Sequence, residues 1–456
     1  MCIPTPPTML LPGRLHRLKL LQRLLVRHLQ TGPLAPALRA LLASLLAYFL
    51  AFSYCSHAFW RDPHSAFFRS ERVYDLHYSL LQRSRAQEYL GAANTTIEDA
   101  DATGAGGAGG KRTFKLAGAE PVLCAAFVTV ARETNYFAEA VGSMLEGLTD
   151  QEREQLYLFV LFADTQPDKH PSWQEPWLRR VVDAAEPYKI SDADLARVRE
   201  AEEKRNYYVK GVFDYKYTLQ RCMATSAPYV AIFEDDIIFA RHWLRRTLHA
   251  LTTLSTTPPP LVRSILPSDA HTPLSWLYLR LFYTETSLMW QPTDFWYAHL
   301  PLALLLTSAL SLASLLTLRR LLPQTRPHLN APALAVLAAL TFPAFTALLY
   351  MIGPYSLRPL RGVVKMNRYG CCTQGLVFPR DAVPPLLGYL EERGHGQTDS
   401  LIEEFADRDG WDRFAVAPQV LQHVGLVSSR GNEVVNMRST WAFGFEAWGE
   451  VWEGLW

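Results

Sequence analysis

Three stretches of this chain hold apolar residues almost without interruption: Leu34 to Tyr54, Tyr297 to Leu318 and Ala331 to Gly353. Each is close to the ~20 residues an α-helix needs to cross the hydrocarbon layer, and none shows the polar stripe of a helix lying on a soluble core. Elsewhere the apolar runs are shorter and carry β-branched members. Val122 to Val130, Tyr157 to Ala163 and Tyr229 to Phe233 read as strands covered on both faces, and Gln374 to Phe378 is strand-like as well. Helical patterns separate them: Phe137 to Leu148, Asp192 to Ala224 with a break near Asn206, Val383 to Glu392, and a segment opening with Ser400. Strands alternating with helices predict an α/β domain with a largely parallel sheet, whose ligands gather beyond the carboxyl ends of the strands.

The charges around the apolar stretches predict how the chain threads a membrane. Arg14, Arg17, Lys19, Arg23 and Arg27 precede the first stretch with no acid among them, which keeps the N-terminus cytosolic, and Arg39 can snorkel to the headgroups. A cleaved leader is the competing reading, but this basic lead is too long for one and no A-x-A site follows Tyr54. The link between the second and third stretches carries Arg319, Arg320 and Arg326 and no acid, so the tip of that hairpin also belongs in the cytosol. The expected organisation is a cytosolic N-terminus (1–33), a first transmembrane helix (34–54), a lumenal stem (55–120), a first domain part (121–296), a membrane hairpin (297–353, with spans 297–318 and 331–353) and a second domain part with an aromatic tail (354–456). Within the stem, Asn94-Thr95-Thr96 is a glycosylation sequon, followed by the Gly/Ala-rich run Ala102 to Gly110.

Composition narrows the function classes. The 45 basic and 44 acidic side chains leave a formal charge of +1, so no global field draws the protein to nucleic acid. The cysteines, Cys2, Cys55, Cys124, Cys222, Cys371 and Cys372, show neither a CxxC pair nor metal-ligand spacing, which argues against structural zinc. A lumenal domain permits oxidation among Cys124, Cys222, Cys371 and Cys372, with no pairing readable from spacing.

The chemistry concentrates in Glu234-Asp235-Asp236, three carboxylates inside the otherwise apolar run Tyr229 to Phe239. Buried unpaired charges cost several kcal/mol, on the order of 3–5, so the cluster needs a counter-ion. Mg²⁺ or Mn²⁺ shared with a diphosphate supplies one. Asp164, closing the second strand, falls at the same ligand edge. Lys210, with Lys204 and Arg205, is either a contact to donor phosphates or part of a solvated helix face. After the loop Gly394 to Thr398, Ser400 and Glu403 have capping-box spacing, which puts Asp399 at a helix start, as a general base or as a residue favoured there by the helix dipole. His423, between apolar residues and just before Gly425, is either a metal ligand or a satisfied core histidine.

The Phe-Glu-Asp-Asp stretch, a domain split by a transmembrane hairpin, and Gln422-His-Val-Gly-Leu-Val-Ser-Ser429 together resemble GT-A-fold glycosyltransferases, more closely the GPI-anchor N-acetylgalactosamine transferase family. The resemblance spans roughly Leu34 to Arg430. It implies a GT-A-like domain transferring N-acetylgalactosamine from UDP-GalNAc to a mannose of a GPI glycolipid or GPI-anchored protein in the Golgi. Glu234, Asp235 and Asp236 would match the acidic motif, and Asp399, with Glu403, would lie where related inverting enzymes place a base. The other readings are a metal-dependent lipid head-group phosphotransferase or phosphodiesterase, and a non-catalytic membrane cargo receptor. The tail aromatics Trp441, Phe443, Phe445, Trp448, Trp452 and Trp456 suit either the membrane interface or the domain's own core.

Overall fold

A computed structural model describes residues 32–69, 76–102, 120–256, 276–285, 290, 292, 294–355, 360–366, 372–425 and 440–455. Most of the basic N-terminus, the glycine run 103–110, Cys371 and Leu426 to Ser429 fall outside these residues. The chain divides into two units, Met1–Arg69 with Met289–Leu357, and Ser70–Leu288 with Arg358–Trp456.

The first unit holds three helices long and apolar enough to cross a membrane: Ala35–Ala58, Leu300–Leu321 and Ala331–Met351. They match the three apolar stretches to within a few residues. Proline occupies the first turn of each of the three, where no amide proton is needed. Two polar pairs link them, Ser44 with Thr341 at 2.8 Å and Thr346 with Thr307 at 3.0 Å, while others such as Ser314 and Thr317 bond to carbonyls of their own helix.

In the second unit the described elements run α1 (Tyr78–Ala102), β1 (Leu123–Thr129), α2 (Phe137–Leu145), β2 (Leu156–Phe162), β3 (Ala184–Glu186), α3 (Asp192–Glu203), α4 (Tyr207–Met223), β4 (Tyr229–Glu234), β5 (Ile237–Phe239), α5 (Trp243–Thr256), β6 (Trp276–Arg280), β7 (Gly362–Lys365), β8 (Gly375–Pro379), α6 (Val383–Arg393), α7 (Thr398–Asp409), β9 (Asp412–Ala417), β10 (Leu421–His423) and α8 (Phe443–Glu453). The expected break near Asn206 is present. Arg205 adopts a φ of 52°, and the Asn206 side chain caps α4 by accepting from the Val209 amide at 3.3 Å.

The main sheet has the order β3-β2-β1-β4-β8-β6-β9-β7, with β5 and β10 as a separate antiparallel ribbon. Strands β1 to β4, β6 and β9 point one way; β8 and β7 run against them, so the sheet is mixed rather than uniformly parallel. The carboxyl ends of β1, β2, β4, β6 and β9 and the amino end of β8 therefore meet at one edge. Successive side chains of β1 alternate between two cores. Leu123, Ala125 and Phe127 pack with α2 and α5, whereas Cys124 and Ala126 pack with α4, α6 and α7. A Cys124–Cys222 disulfide fastens β1 to α4 across 98 residues of chain, the pairing that spacing alone left open.

The structure corrects one expectation and decides another that the sequence left open. The stretch 55–120 is not simply a stem, because α1 folds onto the domain: Tyr78, Ala86 and Leu90 are buried, and a Cβ on Gly142 would lie 2.8 Å from that of Ala86. The tail is core as far as Phe445. Trp441, Phe443 and Phe445 are buried, and Trp452 lies 5.3 Å under the Arg361 guanidinium. The Trp448 side chain and Trp456 are outside the described residues.

Candidate active site

The parallel register of β1 with β4, Val128 beside Glu234, brings the loop after β1 to the acidic triplet. Asp235 is buried and accepts a 2.6 Å hydrogen bond from the Thr129 hydroxyl as well as the guanidinium of Arg132. The Thr129 oxygen in turn faces His170 Nε2 at 2.8 Å. Since the Ser172 amide donates to Nδ1 at 3.1 Å, Nε2 carries the proton and donates to Thr129. Burial and the nearby Arg132 charge push the His170 pKa down to about 4, which keeps this chain of donors neutral at its far end. Burial raises the Asp235 carboxyl above its ordinary range despite Arg132.

Asp236 is held differently. Its Oδ2 faces Arg132 Nη1 at 3.1 Å and His423 Nε2 at 3.5 Å, while Oδ1 is buried with no hydrogen-bond partner among the described residues. Against the burial that would raise it, His423 and Arg132 hold the carboxyl below its ordinary range; burial lowers His423, and Asp236 reverses this and raises it. The β5–β10 ribbon sets this contact, pairing His423 with Ile237, and the Val424 amide donates to the Asp236 carbonyl at 2.8 Å. Gly425 is required here, because a Cβ would collide with Asp236 Oδ2.

Glu234 accepts from the Thr373 hydroxyl at 2.6 Å, and the amide of the preceding Cys372 reaches Asp399 Oδ2 at 3.3 Å. Consecutive residues at the amino end of β8 thus bind both carboxylates, which places Asp399 on the same edge as the triplet. Asp399 lies in the first turn of α7 and also accepts from the Ser400 amide at 2.8 Å. Asp164 accepts from the Ala131 amide at 2.8 Å, and burial raises its pKa.

Two expected site residues have other occupations. The Lys210 ammonium spends its three protons on the Ala163 carbonyl at 2.5 Å, the Tyr188 hydroxyl at 2.7 Å and Asp214 at 2.9 Å, so it braces the end of β2 and has no proton left for a phosphate. Glu403 does not close a capping box. It is buried between Arg280 at 3.0 Å and Arg413 at 3.2 Å with the Tyr278 hydroxyl beside it, an ion network that joins α7 to β6 and β9. Thr129, Arg132 and His170 were missed at the sequence level. Only the placement of Thr129 at the end of β1 and of Arg132 just after it, at the edge where ligands gather, could have signalled any of them.

Among the described residues no three His, Cys, Asp or Glu side chains form a metal-ligand group. The free Oδ1 of Asp236 and the adjacent imidazole do fit a cation that draws its remaining ligands from a substrate diphosphate, as Mg²⁺ commonly does. A family model described as GPI-N-acetylgalactosamine transferase PGAP4 matches residues 123–422, from the first residue of β1 into β10. The comparison with curated proteins finds no match.

Proposed function

This chain belongs to the GPI-N-acetylgalactosamine transferase family, and from that premise we propose that it moves N-acetylgalactosamine from UDP-GalNAc to a mannose of the GPI glycan at a GT-A-type site. The observation that carries the reading is the contrast within the triplet. Asp235 is occupied by Thr129 and Arg132, whereas Asp236 keeps one buried oxygen open beside His423. Asp236 and His423 would hold Mn²⁺ or Mg²⁺, which when bound offsets the charge of the departing nucleoside diphosphate. His423 serves there as a neutral imidazole, so any proton it carries beside Asp236 leaves on binding. Asp399 takes the proton of the attacking mannose hydroxyl, its carboxylate oriented by the Cys372 and Ser400 amides. Asp164, tied to the loop after β1, lines the side given to the nucleoside.

In this reading the domain faces the lumen of a Golgi membrane and the N-terminus is cytosolic, which the basic residues flanking the apolar stretches favour. Connectivity supports a membrane-borne acceptor: the chain leaves the sheet after β6 and returns at β7 through two helices fit to cross a bilayer.

The test is turnover of a panel of UDP-sugars on a GPI glycan by the protein in lipid nanodiscs, with and without Mn²⁺. UDP-GalNAc alone should be used, and only with metal. Asp399→Asn should keep UDP affinity and lose about 10²–10⁴-fold in kcat, while Asp236→Asn should lose metal-dependent UDP binding. Unchanged turnover by Asp399→Asn removes the base assignment; turnover without metal removes the cation.

A further inference from the structure

Arg132 has no part in the reaction just described, yet it touches both carboxylates that matter most. It stands three residues beyond β1 with its side chain 15 % exposed, and its two terminal nitrogens go one to Asp235 and one to Asp236. The pairing is incomplete on both sides. Arg132 Nε is buried with no hydrogen-bond partner among the described residues, and so is Asp236 Oδ1. Arg413, in the structural network with Glu403 and Asp407, also has an unpartnered buried Nε, so what sets Arg132 apart is its place just beyond β1, bridging Asp235 and Asp236 at the carboxyl edge of the sheet. Around Arg132 a donor and an acceptor are each left waiting. A divalent cation at Oδ1 and a phosphate oxygen at Nε would complete both.

We propose that Arg132 is a resident cation that neutralises Asp235 and Asp236 in the empty site and passes to the diphosphate when donor and metal ion enter. The inference rests on the reaction above, since it presupposes a diphosphate donor whose cation sits at Asp236. A guanidinium is always charged, so it repels a metal ion arriving alone at the carboxylate it already holds. A diphosphate removes that obstacle, because its oxygens accept the planar fork in bidentate fashion. Metal ion and nucleotide then bind weakly one at a time and tightly together, and by linkage each strengthens the other by the same factor. The site would avoid loading a metal ion without a donor.

The experiment uses the full chain in nanodiscs. Free Mn²⁺ is counted by its electron paramagnetic resonance signal, with and without UDP, and UDP binding is measured by calorimetry at saturating Mn²⁺. Wild type should bind Mn²⁺ alone weakly and at least tenfold more tightly with UDP. Arg132→Gln should bind Mn²⁺ alone at least tenfold more tightly than wild type and UDP at saturating Mn²⁺ at least tenfold more weakly, so that the coupling collapses. Arg132→Lys keeps the charge without the fork, and should move both affinities the same way by about threefold. It carries the test if the glutamine variant does not fold. Unchanged or weaker Mn²⁺ binding in the variants overturns the proposal, as does unchanged UDP affinity. If wild type binds neither Mn²⁺ nor UDP under any condition, the transferase reading itself falls and takes this inference with it.

Discussion

Asp235 and Asp236 are adjacent in sequence and chemically alike, and their surroundings set them apart. Gly425 is part of that separation, since its missing Cβ leaves the space that Asp236 Oδ2 fills. Gly425→Ala should push the carboxylate off His423 and weaken Mn²⁺-dependent UDP binding by about 10–100-fold, the usual scale for a disturbed ligand support, while the melting temperature moves little. Calorimetry alongside thermal unfolding checks this. His170 sets a pH signature. Burial and Arg132 lower its pKa from 6.5 to about 4, so between those values the unfolded chain holds a proton that the folded chain lacks. Stability therefore rises with pH through that window and drops as the solution is acidified. Replacing His170 with Gln should flatten the wild-type slope between pH 4 and 6.5 in denaturant titrations of the protein in detergent; an unchanged slope would mean that other groups set it.

Among the elements, the strands with long apolar runs were legible in the sequence. Val122 to Val130 and Tyr229 to Phe233 announced β1 and β4 because both faces of each are covered. Strands β6 and β9 were not, because each owes its place to a partner far away in sequence; Trp276 to Arg280 pairs with a segment more than 130 residues later. Arg132 was equally invisible. Nothing in its local spacing marks an arginine whose partners lie about a hundred residues downstream. The tail aromatics were ambiguous, since an interfacial belt and a buried turn use the same residue types. The structure decides for burial through Trp441 and Phe445, and Gln422 explains the consequence. Its side chain exchanges hydrogen bonds with Ala442 at 2.9 Å in both directions, tying the strand of His423 to the start of α8. Trp441→Ala should cost about 3–5 kcal/mol, read from denaturant unfolding, and removal of residues 441–456 should abolish donor and acceptor activity together. Selective loss of the membrane-acceptor reaction would instead restore an interfacial role.

At the scale of the whole molecule the apolar stretches told the most, since length and lack of a polar face locate all three long helices within a few residues. The proposed threading makes a direct prediction. A cysteine introduced at Thr325, in the link that carries Arg319, Arg320 and Arg326, should react with an impermeant maleimide from the cytosolic side of sealed vesicles and stay silent from the other. The reverse pattern would place the link in the lumen.

The insertion between β6 and β7 also fixes the order in which the protein can come together on the ribosome. Strands β1 to β4 pair only with one another until β8 is made, so the four-stranded parallel half can assemble as soon as it emerges. Strand β6 cannot join it. Its two neighbours, β8 and β9, are both translated after the two long apolar helices, as are Asp399 and His423. A nascent chain that fails at the hairpin is left with an orphan strand and exposed apolar surface, the features that call for chaperones, and with half of the proposed site. Catalytic competence in this protein thus becomes a certificate that its passage into the bilayer succeeded.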